Sequence, residues 1–78
     1  MKVIYKFKGS LDIFVYWFTG GNTVNRVVFK DYVMRKHKLD ECFLDLEIHP
    51  KPSDPDQIPA YSRIIVRRLP LTECVLQK

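Results

Sequence analysis

The residues that could carry chemistry in this 78-residue chain are His37, His49, Cys42 and Cys74. Acid–base and nucleophilic catalysis both need a base within hydrogen-bond reach of the group it activates. His37 sits in the basic run Arg35-Lys36-His37-Lys38, and His49 stands directly before Pro50. Neither has a nucleophile or a carboxylate partner at a motif spacing. The two cysteines lie far apart, with no Cys-x-x-Cys pair and no cluster of ligands, which argues against a zinc site. Two reduced thiols in a reducing compartment are expected rather than a disulfide. Gly20-Gly21 lacks the Gly-x-Gly-x-x-Gly spacing of a phosphate cradle and reads as a turn. The expectation is a chain that is not an enzyme and holds neither metal nor cofactor.

Binding chemistry is better represented. Trp17, Arg67 and Arg68 belong to the residue types that dominate interface hot spots. Lysine and arginine number 13 against 9 aspartates and glutamates, a net charge of +4. That excess suits an acidic partner or nucleic acid, and equally a solvated basic surface. The chain is 46% hydrophobic and 28% charged, which excludes a disordered polyelectrolyte and fits one small domain. No apolar run approaches the roughly 20 residues of a membrane-spanning helix, so no membrane partner is expected. The longest such run, Ile13 to Phe18, is strand-sized, and no signal peptide is recognisable.

The elements that must position these residues follow from periodicity. Ile64-Ile65-Val66 is a β-branched run, which favours extended backbone, and Pro70 ends the strand because it lacks an N–H for the ladder. Lys2 to Lys8 alternates, with Val3, Tyr5 and Phe7 on one face and Lys2, Ile4, Lys6 and Lys8 on the other. After a Gly9-Ser10 turn, Ile13 to Phe18 forms a second strand, antiparallel to the first. Gly20-Gly21-Asn22 breaks the chain. Asn25 then caps a helix that runs to about Lys38, with Val24 and Phe29 as its hydrophobic staple. Phe29 and Val33 mark its apolar stripe, and the basic run at its end reads as a solvated face that complements the helix dipole.

Leu44, Leu46 and Ile48 alternate with Asp45 and Glu47 as a third strand. Pro50, Pro52 and Pro55 impose a surface loop, and Ile58 plugs the core beneath it. Arg63 to Leu69 is the last strand, and residues 72–78 are a tail after a domain spanning residues 1–71. One helix covering a four-stranded mixed sheet is an α+β arrangement. Its economical form is the β-grasp, or ubiquitin-like, fold, with the first and last strands central and parallel. Arg67 is then expected beside Asp45 or Glu47 on the uncovered face.

With these residues placed, the chain resembles the DWNN domain over about residues 3 to 70. This is the ubiquitin-like N-terminal domain of the retinoblastoma-binding-protein-six family and its fungal polyadenylation-factor counterparts. The similarity rests on Tyr5-Lys6-Phe7, on Ser62 through Pro70, and, between them, on Phe29-Lys30, Leu39, Leu46-x-Ile48 and Ile58-Pro59. The segment from Pro50 to Gln57 is shorter than the family's acidic loop, so a short extra strand is expected to be missing. No Asp-Trp-Asn-Asn string occurs, and neither does a zinc-knuckle or RING pattern. The family's ubiquitin-ligase activity, which its RING carries, therefore does not transfer. The chain ends Leu76-Gln77-Lys78, without the Gly-Gly that a conjugated modifier needs.

What the resemblance implies is a nuclear docking module of pre-mRNA 3′-end cleavage and polyadenylation that contacts the endonuclease subunit. The matching positions make Phe7, Arg68 and Pro70, at one end of the sheet, the preferred partner-binding site. A second candidate is the face opposite the helix, where alternation places Ile4, Val15, Trp17, Ile65 and Arg67. There an exposed Trp17 marks an interface, or else it folds against lysine stems. The alternatives are a basic RNA-binding domain using Trp17, Lys6 and Arg67, and a ubiquitin-like adaptor in a ubiquitin-ligase pathway.

Overall fold

Among the described residues, six strands and one helix follow in the order β1 (Lys2–Phe7), β2 (Phe14–Trp17), β3 (Thr23–Asn25), α1 (Arg26–Lys36), β4 (Cys42–His49), β5 (Gln57–Pro59) and β6 (Arg63–Pro70). The computed structural model describes residues 1–39 and 42–70. The expected tail, residues 72–78, and Cys74 lie outside the described residues.

The fold is α+β. Strands β2, β1, β6 and β4 form a four-stranded mixed sheet in that order. The first and last strands are central and parallel, with Tyr5 opposite Ile64 and Phe7 opposite Val66. β2 and β4 flank them antiparallel, with Val3 opposite Tyr16 and Leu46 opposite Val66. The alternation in sequence becomes an alternation in space. Val3, Tyr5, Leu44, Leu46, Ile48, Ile64 and Val66 are buried on one face, where Phe29 and Val33 of α1 meet them. Phe7, Tyr16, Phe18 and Leu39 pack around this cluster, and Phe14 joins them.

Asn25 caps the helix as expected. Its side-chain oxygen accepts the N–H of Val27 at 2.8 Å and that of Val28 at 3.4 Å. Val24 and Phe29 both lie in the core cluster. The helix ends at Lys36, two residues before the expected boundary. Lys38 takes a positive φ of 53°, and the Leu39 N–H bonds back to the Met34 carbonyl at 2.9 Å.

A second sheet also departs from expectation. β3 and β5 pair antiparallel as a second, two-stranded sheet, with Val24 opposite Ile58. The segment after the proline loop thus does form a short strand, and Thr23–Asn25, between the Gly20-Gly21-Asn22 break and the helix, is its partner. Three-residue strands are too short to display a period of two. Their pairing is fixed instead by burial of Ile58, which is 0% exposed. From β5 the chain enters β6 through a tight turn. Tyr61 adopts φ 66° there and donates its N–H to the Lys2 carbonyl at 2.6 Å, while the Ser62 hydroxyl donates to the Pro59 carbonyl at 2.7 Å. These bonds set the start of β6 beside β1.

Candidate functional site

The parallel pairing of β1 and β6 builds the first candidate surface. β1 stops at Phe7, and the Lys8 N–H makes one more bond, to the Val66 carbonyl at 2.9 Å. β6 runs on to Pro70, its last residue, opposite Cys42 of β4. Arg68 has the parity of Ile64 and Val66, so it emerges on the helix side just past the end of β1. There its guanidinium carbon lies 5.6 Å from the centroid of the Phe7 ring. Phe7 is half-buried and Arg68 exposed. The side chain therefore lies within cation–π range of the ring while the residue stays exposed.

Behind Phe7 stands a group of rings. His37 lies 4.9 Å from Phe7 and 4.7 Å from Phe14, centroid to centroid, both edge to face. Its Nε2 is 2.8 Å from the Tyr5 hydroxyl. The basic run at the helix end is therefore only partly a solvated face. Arg35 pairs with Asp31 at 3.1 Å and Lys36 lies over the Tyr32 ring, but His37 turns inward. The reason is spacing: Phe29, Val33 and His37 are successive i, i+4 positions on one helical stripe. Burial, helped by the adjacent Lys36 charge, holds the His37 imidazole below its ordinary pKa. Burial likewise pushes the Tyr5 phenol up to about 12, with Tyr32 adding to the effect.

The second surface is the face turned away from the helix. Register places its side chains in rows: Trp17 beside Lys2, then Val15, Ile4, Arg63 and His49, then Lys6, Ile65 and Glu47. Arg67 stands opposite Asp45, and its Nε donates to Asp45 Oδ2 at 2.9 Å while a second guanidinium nitrogen approaches the same oxygen. That bond holds the Asp45 carboxyl below the usual range. Lys2 Nζ lies 5.3 Å from the Trp17 ring centroid, yet Trp17 remains 68% exposed. Lysine contact and open aromatic surface thus coexist.

The site residues fall into two groups. Phe7 and Arg68 meet at the sheet end, with Pro70 closing the same strand, whereas Trp17 and Arg67 share the opposite face. Sequence reasoning missed the partners of both histidines: Tyr5 for His37, and Glu47, whose carboxylate is 3.2 Å from His49 Nε2. Glu47 and His49 are two apart on one strand, hence on one face, and that spacing was the available signal. Among the described residues no cluster of three or more His, Cys, Asp or Glu could hold a metal ion, and no helix is long and apolar enough to cross a membrane. Comparison with protein-family models, with curated proteins and with solved structures finds no match to this chain.

Proposed function

We propose that this chain is a non-catalytic, ubiquitin-like docking module of the DWNN type, serving nuclear pre-mRNA 3′-end cleavage and polyadenylation by contacting the endonuclease subunit. The β-grasp reading is supported by the central parallel pair, the strand order and the helix α1 covering one face. The docking reading rests on one observation: Arg68, an exposed residue, is carried over Phe7 at the end of that pair. An arginine so positioned offers a planar fork to a carboxylate or carbonyl of the partner, and loses less rotamer freedom on binding than an untethered one. Pro70 ends the strand that carries the fork.

The test is titration of the purified endonuclease subunit with this chain in a calorimeter, alongside recovery of its partners from nuclear extract. Saturable binding and retention of cleavage-complex subunits are expected. A folded chain that gives no heat of binding and retains none of them contradicts the assignment.

A further inference from the structure

We infer that the outer face of the sheet is a second docking surface, distinct from the Phe7–Arg68 end, and that its occupant is an acidic amphipathic helix of a partner protein. The face carries an oblique apolar stripe, Trp17, Val15, Ile4 and Ile65, one or two residues from each of three adjacent strands. Ile13, 66% exposed, borders a groove of about 520 Å³ with Ile4, Ile65, Lys6 and Arg63. An apolar centre of this kind gains free energy when covered, and its aliphatic content suits protein side chains better than bases, which stack on aromatic rings. Trp17 is the only tryptophan of the chain.

Charge selects the partner. Asp45 and Glu47 are the carboxylates that register places on this face, and both are engaged, by Arg67 and His49 respectively. Lys2, Lys6 and Arg63 flank the stripe with no carboxylate partner among the described residues. Complementarity therefore calls for a segment with an apolar ridge lined by Asp or Glu. Lys2 and Lys6 are four residues apart on one strand, about 13 Å. Two turns of α-helix advance about 11 Å. Carboxylates two turns apart on a helix thus reach both lysines while leucines at i, i+3, i+4 and i+7 lie on the stripe.

The probe is a fluorescein-labelled peptide of about 16 residues with leucines at that spacing and glutamates beside them, free of aromatic residues. The same peptide with lysine for glutamate, and an oligouridylate of about 12 nucleotides, serve as comparators. The glutamate peptide is expected to bind, to shift the emission of Trp17, and to weaken as salt rises from about 50 to about 300 mM. Trp17→Ala should weaken it about thirtyfold, as for an interface hot spot. Paired Lys6→Glu and Arg63→Glu should abolish binding with circular dichroism unchanged, and Arg68→Glu should leave it intact, separating this face from the end-of-sheet site. No binding of the glutamate peptide, equal binding of the lysine peptide, or indifference to Trp17→Ala overturns the proposal. Binding of oligouridylate in its place, with quenching of Trp17, would make this a nucleic-acid surface and overturn it equally.

Discussion

The guanidinium of Arg68 sits 5.6 Å above the ring of Phe7, at the point where one of two parallel strands stops and the other continues. The contact is a consequence of sheet topology. It needs β1 and β6 to be neighbours, to run the same way, and to end at different heights. His37 packs edge to face on the same Phe7 ring and, through Tyr5, ties the helix end to this corner.

That corner is expected to respond to pH. His37 has a folded-state pKa below its ordinary value of 6.5. The unfolded chain therefore binds more protons than the folded one in the window below 6.5, and stability there rises with pH. The contribution is fully present above 6.5 and is lost as the pH falls through the folded-state pKa. Thermal midpoints measured from about pH 7.5 down to about pH 5.5 should fall more steeply for the parent chain than for His37→Phe, which keeps a ring and removes the titration. Parallel slopes for the two proteins would show that His37 is not the group responsible.

Asn25→Ala removes the acceptor of two helix N–H groups. A loss of about 1 kcal/mol is expected, within a range of about 0.5–2. Asn25→Asp should keep most of it, since a carboxylate also caps. Urea melts of the three proteins with a common m-value give the comparison.

Ile58→Ala should cost far more, about 2–5 kcal/mol, because the side chain is fully buried and its neighbours can close the cavity only in part. Against a total of about 5–15 kcal/mol for a small domain, that is enough to leave the variant marginal. A change below about 1 kcal/mol would mean that the β3–β5 sheet contributes little to the core.

The sheet was legible in the sequence because alternation states which residues share a face. Val3 and Tyr5 alternate with Lys2, Ile4 and Lys6, and Leu44, Leu46 and Ile48 alternate with Asp45 and Glu47; both apolar sets lie in the core. Parity between adjacent strands narrows the partner of Arg67 to Asp45 or Glu47, of which Asp45 is the one it meets. The β3–β5 pairing was hidden because its information is long-range: Val24 meets Ile58 across the whole helix, β4 and the proline loop. His37 was misplaced for the opposite reason. Its cationic neighbours suggested solvent, while the Phe29-Val33-His37 spacing that turns it inward was present and outweighed. Of the surfaces, residue membership could be read from parity, but the stacking of Arg68 on Phe7 depends on where β1 stops, and chain ends of elements are weakly encoded.

The most direct measurement is the affinity of the endonuclease subunit for the parent chain and for Arg68→Glu by calorimetry, with circular dichroism confirming the fold and exposed Lys51→Glu as a charge-matched control. Reversal of the charge at a desolvated contact should cost on the order of 2–5 kcal/mol in binding, with the control near zero. A folded Arg68→Glu chain that binds the subunit as tightly as the parent contradicts the account.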